Sequence, residues 1–312
     1  MNGVVVGKKV VLITDPGIDG AFATILALHE PSIELLGVLP TAGNVSSSQA
    51  TVNAQIILEQ VDPPRWPRIG SAIPIEYDTD GTRLHGSNGL GGIDFPTAKL
   101  HRLTPSDKLL VDLVKQHKHE VSVVIMGPCT LFAKAIEREP ELPSLIEKLV
   151  VLGGTWHEPG NSGPVSEFHF FCDPASAQKT LHCGAHTTLL PLDVMRRLVF
   201  SPSELLQMPC QDSNASQFLK KIVSHGIGAT SAIYGIEGFH LKDVLGLIPL
   251  ILPGKIKTKT VCVNVETHGH LTRGMSVIDT RWGVKKNGAI EMAVDIEELE
   301  IRSRILRIME SF

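Results

Sequence analysis

Residues 10–20, VVLITDPGIDG, constrain this chain more than any other stretch. Val10, Val11, Leu12 and Ile13 are apolar and mostly β-branched, which reads as a fully buried strand, and an apolar helical run from Ala21 to Leu28 follows within a few residues. Asp15, Pro16, Gly17 and Asp19 lie between the two, so two carboxylates sit at the strand's carboxyl end. In open α/β sheets that edge binds ligands, and acids placed there hold a cation or take a proton rather than cradle a phosphate. A helix N-cap accounts for one aspartate, since Asp caps well and Pro suits a first helical turn. The second is left over, and points to function.

The same strand-then-helix unit recurs along the chain. A second strand over Ile33–Leu39 ends in TAGNV, before a helix from Ser47 to Val61 introduced by serines. A helix over about Ser106–His119 leads into the apolar strand Val121–Met126, which ends in GPCT and another helix. Lys148–Leu152 and Thr187–Leu192 read as further strands, ending at Gly153-Gly154 and Asp193, with a helix at Pro174–His182 between them. This alternation predicts a mostly parallel, doubly wound (Rossmann-like) α/β sheet flanked by helices. Downstream come helices from about Pro202 to Gly226, an apolar helical segment opened or interrupted by Asp243, and strands near Lys259–Glu266 and Met275–Asp279. A closing helix presents Ile301, Ile305, Ile308 and Met309 on one face. With no internal repeat, linker or low-complexity tract, residues 1–312 are expected to form a single domain.

Composition excludes several classes of function. The formal net charge is −4 and the 29 Lys and Arg are scattered, so there is no nucleic-acid footprint. No apolar run approaches the ~20 residues of a membrane span, and the start does not read as a signal peptide. The five cysteines, Cys129, Cys172, Cys183, Cys210 and Cys262, are widely spaced and contain no CxxC pair. That pattern suits structural, reduced thiols in a soluble, cytoplasmic protein. No GxSxG marks a nucleophile elbow, and Cys129 has no evident activating partner, so covalent acyl transfer is disfavoured.

Three groups of residues remain as candidates for chemistry. Asp15, Asp19, Asp193 and Asp243 are acids at strand ends or helix starts, suited to a hard cation if the fold gathers them. The loop GNSGPVSEFHF offers Asn161, Glu167 and His169, amide and carboxylate groups of the kind that grip a polyol. The Gly-rich GSNGLGG follows no strand and lacks a P-loop lysine, so it reads as a mobile lid. Of the thirteen histidines none has the spacing of a zinc helix, and His85 and His240 are the two to watch.

Taken in order, DPGIDGA, TAGNV, HGSNGLGG, GPCTLFAKAI, LGGTW, GNSGPVSEFHFFCDP, PLDV and KDVLG resemble the inosine-uridine preferring nucleoside hydrolase family, from about Val10 to Asp279. The resemblance implies the nucleoside hydrolase fold, a homodimer or homotetramer, and hydrolysis of the N-glycosidic bond of a small-molecule ribonucleoside with a bound calcium ion. It implies Asp15 as general base and calcium ligand, with the Met126 backbone carbonyl and Asp243 as further ligands. Asp19, Asn44, His85, Asn161, Glu167, Phe168 and His169 fall at substrate-binding positions.

The departures from the family pattern are as informative. Where the family reads DxDPGxDD, this chain has Ile13 for the first acid and Gly20 for the last, a bidentate calcium ligand. Its loss takes one charge and two oxygens from a hard-cation site and should weaken calcium binding. An asparagine after Glu-Phe has become His169, and the histidine before the late aspartate has become Lys242. The donor of a proton to the leaving base is then open among Lys242, His240 and His85. Two readings follow: a nucleoside hydrolase, or a weak or inactive homologue that binds a ribose-like ligand without cleaving it.

Overall fold

The structure, a computed structural model, describes residues 7–79, 81–98, 102–208, 213–281 and 288–312. Cys210 lies outside the described residues; Cys129, Cys172, Cys183 and Cys262 are free thiols, and burial pushes the first three above the ordinary range. In chain order the strands are β1 (Lys8–Thr14), β2 (Ile33–Pro40), β3 (Arg68–Ile69), β4 (Val121–Met126), β5 (Lys148–Leu152), β6 (Thr187–Leu190), β7 (Val199–Phe200), β8 (Phe239–His240), β9 (Ile256–Val265), β10 (Ser276–Asp279) and β11 (Ile290–Ile296).

Nine of these form one sheet in the order β10-β9-β11-β6-β5-β4-β1-β2-β3, while β7 and β8 pair separately. From β11 to β3 every neighbouring pair is parallel; β9 runs antiparallel to both β10 and β11. The chain steps outward from β1 to β2 and β3, then returns to lay β4 on the other flank of β1. The order therefore reverses between β1 and β4, and their carboxyl ends, Thr14 and Met126, stand opposite each other in the register. That switch point is where an open α/β sheet leaves a crevice for a ligand.

The unbroken apolar run of β1 follows from its having helices on both faces. Val10 and Leu12 belong to one core cluster, with the helices Ile18–His29, Asn214–Tyr234 and Glu298–Met309; Val11 and Ile13 belong to the other, with Ser106–Gln116, Thr130–Arg138 and Pro174–Leu181. Alternate side chains of a strand leave opposite faces, so both faces are apolar when both are covered. Ile301, Ile305, Ile308 and Met309 are buried on one face of the last helix, as their spacing predicts.

Four strands escape the sequence pattern. β3, β7 and β8 are two residues long each, and β11 carries Glu291 and Asp295 within its span, which breaks a plain apolar run. The segment GSNGLGG also departs from a mobile lid. Asn88 accepts from the Leu90 and Gly92 N–H groups and donates to Ile93 O, Asn53 donates to Asn88 O, and Leu90 is fully buried. Its glycines are needed for shape: Gly89 has φ +82° and lies against Asn53 and Val45. Among the described residues no helix is long and apolar enough to cross a membrane.

Phe22, fully buried in the helix after β1, is among the largest side chains of the core that holds the acidic turn in place. Phe22→Ala should cost about 3–5 kcal/mol of stability, read as a lower urea midpoint at unchanged slope.

Candidate functional site

Asp15 is the first residue beyond β1 and its side chain is wholly buried. Three short contacts fix it. The Asn44 backbone N–H donates to its Oδ2 at 2.9 Å, the Asn44 side-chain amide donates to its carbonyl at 2.9 Å, and Thr41 N–H bonds Thr14 O at 2.8 Å. The loop after β2 is thus tied to the turn after β1. Two glycines make the approach possible: a Cβ on Gly43 would overlap Asp15 Oδ2, and one on Gly17 would press on His85 Nδ1 at 2.7 Å and Asn44 Nδ2 at 2.9 Å. Asp15 Oδ1 is buried without a hydrogen-bond partner.

On the other side stands the loop after β5. Glu167 caps the short helix Phe168–Cys172: its Oε2 accepts from the N–H groups of His169, Phe170 and Gly154 at 3.0–3.2 Å. Asn161 Oδ1 accepts from Phe168 N–H at 2.8 Å, leaving its NH2 without a partner among the described residues. His169 then lies between carboxylates, with Nε2 3.5 Å from Asp15 Oδ2 and Nδ1 3.6 Å from Glu167 Oε1. Burial opposes charge on this imidazole, but Glu167 and Asp15 outweigh it and push the pKa up to about 10. For Asp15 burial wins over the pull of His169, and the carboxyl is raised above its usual range.

Asp243 opens a 3₁₀ turn that packs against the helix after β1. Burial, then the nearby Asp19 and Asp15 carboxylates, raise it well above an ordinary aspartate. His85 comes from a one-turn helix, Thr82–His85, within the long loop after β3. Its Nδ1 lies 3.8 Å from Asp19 Oδ1, yet this is no ion pair. Nδ1 accepts from Ile18 N–H at 3.1 Å, and burial lowers the imidazole to about 4, so the ring is neutral and carries its proton on Nε2.

Together these elements line a cleft of about 800 Å³, part of it open to solvent. Asp19, Asn44, His85, Asn161, Glu167, Phe168, His169, Lys242 and Asp243 all contribute to its wall. Asp15 is reached through Asn44 and His169, and Met126 lies in the core with only its chain position, opposite Thr14, bringing it near. His240 is elsewhere. It lines an adjoining cavity that shares Asn161, Tyr234 and Lys242 with the first, and burial followed by Lys242 lowers it to about 4. Asp193 serves a loop: its carboxylate accepts from the N–H groups of Trp156, His157 and Glu158. Arg83, Met195, Ile233 and Tyr234 also line the cleft. No motif marks them, because they come from loop tips and helix ends with no fixed spacing to the acids.

A hard cation would need about six to eight oxygen ligands. Among the described residues no group of three or more His, Cys, Asp or Glu side chains is placed to hold a metal ion. Gly20 offers no carboxylate, and an added Cβ there would press on Thr14 Oγ1 at 2.9 Å and Asp243 Oδ2 at 3.2 Å. Asp15 Oδ2 is already engaged by Asn44 and faced by His169. The donors present do not fit calcium.

The closeness of Gly43 to Asp15 gives a test of this geometry. Gly43→Ala should leave the protein folded but displace the Asp15 carboxylate, lowering the turnover proposed below by about a hundredfold, as small misplacements of reacting groups do; kcat with circular dichroism as a fold control reads it.

A family model described as inosine-uridine preferring nucleoside hydrolase matches residues 10–301. A probable uridine nucleosidase 1 of Oryza sativa subsp. japonica is 30% identical over 282 residues, covering 89% of this chain and 86% of its own. Uridine nucleosidase 1 of Arabidopsis thaliana is also 30% identical, covering 86% of this chain and 82% of its own. Among solved structures, a purine-preferring ribonucleoside hydrolase from Gardnerella vaginalis superposes with TM-score 0.89 at 25% identity, over 97% of this chain and 98% of that one.

Proposed function

The chain belongs to the inosine-uridine preferring nucleoside hydrolase family, and from that premise we propose how its own residues hydrolyse the N-glycosidic bond of a ribonucleoside to ribose and free base. The observation that carries the reading is the convergence of Asp15, Asp19, Asp243, Asn44, Asn161 and Glu167 at the switch point of the sheet. A ribose presents several hydroxyls that each donate and accept, and this set of carboxylates and amides answers them in kind. Asp19 and Asp243 take the diol, and Asn161, with its free NH2, takes a further hydroxyl beside Glu167.

Water is the nucleophile and Asp15 the base. Its Oδ1 is the carboxylate oxygen without a protein partner, and burial raises its pKa toward the range in which a general base works at moderate pH. The water oxygen bonds to the anomeric carbon as the carbon–nitrogen bond breaks, the water's proton passes to Asp15, and the bonding pair leaves with the base. Positive charge builds on the sugar ring in between, and the buried carboxylates of Asp19 and Asp243 stabilise it. Lys242, which lines the cleft next to Asp243 and has no ion pair among the described residues, is placed to protonate the departing nitrogen. His240 faces the adjoining cavity and is less well sited for that task. Phe168, Tyr234 and Ile233 supply apolar surface for a planar base.

Members of this family generally depend on a metal, calcium by the resemblance, where it supplies Lewis-acid polarisation of water and diol. The donors here do not fit that ion, and no step above runs through it.

Release of free base and reducing sugar from a panel of ribonucleosides tests the activity. Asp15→Asn should reduce turnover by about 10²–10⁴-fold, the usual worth of a general base, with the fold intact. In the wild type kcat/KM should fall with decreasing pH through an ionisation above 3.8, because the base works only when unprotonated. Full activity in a folded Asp15→Asn protein would show that another group is the base.

A further inference from the structure

Beside the cleft that holds the acids lies a second cavity of about 460 Å³, part of it open to solvent and within the size range of small-molecule sites. The two share Asn161, Tyr234 and Lys242 as walls. Ribose and base account for the first, and the second is left over. We propose that it receives a substituent on the 5′ carbon of the ribonucleoside, an apolar one such as a short alkylthio chain. The proposal rests on the hydrolase reading above and deepens it by naming a substrate class.

The shared walls decide which part of the substrate faces the cavity. With the diol on Asp19 and Asp243, the hydroxyl left for the Asn161 amide is the one on the 5′ carbon. In a β-ribonucleoside the base and the 5′ carbon project from the same face of the sugar ring, opposite the diol. The second cavity is bordered by Asn161, by Tyr234 beside the base and by Lys242 at the departing nitrogen, so it lies next to the 5′ carbon. A group carried by the base alone would not need Asn161 as a neighbour.

The remaining walls are apolar or already satisfied. Val199 opens β7, Ile236 follows the helix Asn214–Tyr234, and the Tyr234 ring stands edge-on to His240 with centroids 6.2 Å apart. A thioether sulfur suits such an aromatic wall. Arg196 spends its guanidinium on the loop that carries Asn161: Nη1 donates to Glu158 Oε2 at 3.1 Å and to Pro159 O at 2.8 Å, and Nη2 to Gly160 O at 3.2 Å. His240 is buried and neutral, and among the described residues no Asp or Glu lines the cavity. A 5′-phosphate would bring two negative charges to Lys242 alone and lose its water against Val199 and Ile236, whereas an alkyl chain gains from the same walls.

The test uses the base that the wild type releases best and compares three ribonucleosides whose 5′-hydroxyl is replaced by methylthio, ethylthio or propylthio, together with the parent and its 5′-monophosphate. The expected result is a rise in kcat/KM of about fourfold for each CH2 added, the worth of burying a methylene, and slower cleavage of the 5′-monophosphate than of the parent. A kcat/KM that stays level or falls along the alkylthio series overturns the proposal. Faster cleavage of the 5′-monophosphate than of the parent overturns it too, in favour of an anion site. Ile236→Trp alters a half-buried loop position outside the hydrolytic machinery and should fill the cavity. It should leave kcat/KM for the parent within about twofold and cut that for the propylthio compound about tenfold, the value of the methylenes it excludes. A folded Ile236→Trp protein that cleaves both compounds as the wild type does overturns the assignment, and the wild-type series decides it where that variant does not fold. Absence of base release from every ribonucleoside overturns the hydrolase reading instead. Calorimetric titration of the methylthio and propylthio compounds into the wild type then decides the cavity by itself: tighter binding of the longer chain supports it and equal or weaker binding overturns it.

Discussion

A wholly buried carboxylate at the end of the central strand is the constraint that the rest of this structure serves. Asp15 has to be held in register by donors that cannot drift, and the chain provides them from backbone: Asn44 N–H on Oδ2, with the Asn44 amide folded back onto the Asp15 carbonyl. That reciprocal pair needs the loops after β1 and β2 to touch, which in turn needs glycine at 17 and 43. The apolar run of β1, sealed by helices on both faces, keeps the strand end fixed while its last residues carry polar work. A buried charge is thus tolerated because rigid packing positions its partners in advance.

Much of this is legible in the residues. The acidic turn after β1, the strand at Val121–Met126, the capped helix at Ser47–Val61 and the isoleucine face of the last helix follow from local chemistry: β-branched runs, capping serines, and apolar spacing at the helical period. That Asp19, Asn44, Asn161 and Glu167 share one cleft agrees with a parallel sheet delivering such loops to the same edge, whereas Asp243, which follows β8 of the separate pair, is linked to them in the sequence by the family resemblance alone.

What was not legible depends on distance in space. Asp193 and Asp243 read alike in sequence, as acids at the start of a helical turn. One spends its oxygens on three backbone N–H groups of a neighbouring loop, while the other is buried within electrostatic reach of Asp19 and Asp15. His240 and Lys242 are two residues apart yet line different combinations of cavities, since His240 ends β8 whereas Lys242 lies beyond it, at the start of the 3₁₀ turn that Asp243 opens. The glycine-rich segment reads as a lid from composition, but Leu90 and the bonds of Asn53 and Asn88 pin it to the core. Arg83 and Tyr234 belong to the cleft through the fold alone.

The division of labour among the site residues bears on how such a site can change. Glu167 caps a helix, Asn161 holds the N–H of Phe168, and Asn44 fastens two loops, so each ribose-facing group is also a structural one. Substituting any of them would leave buried donors unmet at a cost of about 1–3 kcal/mol each before any chemistry was affected. Positions 20 and 169 carry no such burden. Gly20 contributes only backbone to its helix, and the ring of His169 faces carboxylates and, at 3.4 Å, the carbonyl that ends β5. The sugar-gripping frame is therefore locked by folding, whereas positions 20 and 169 can differ without unmaking it.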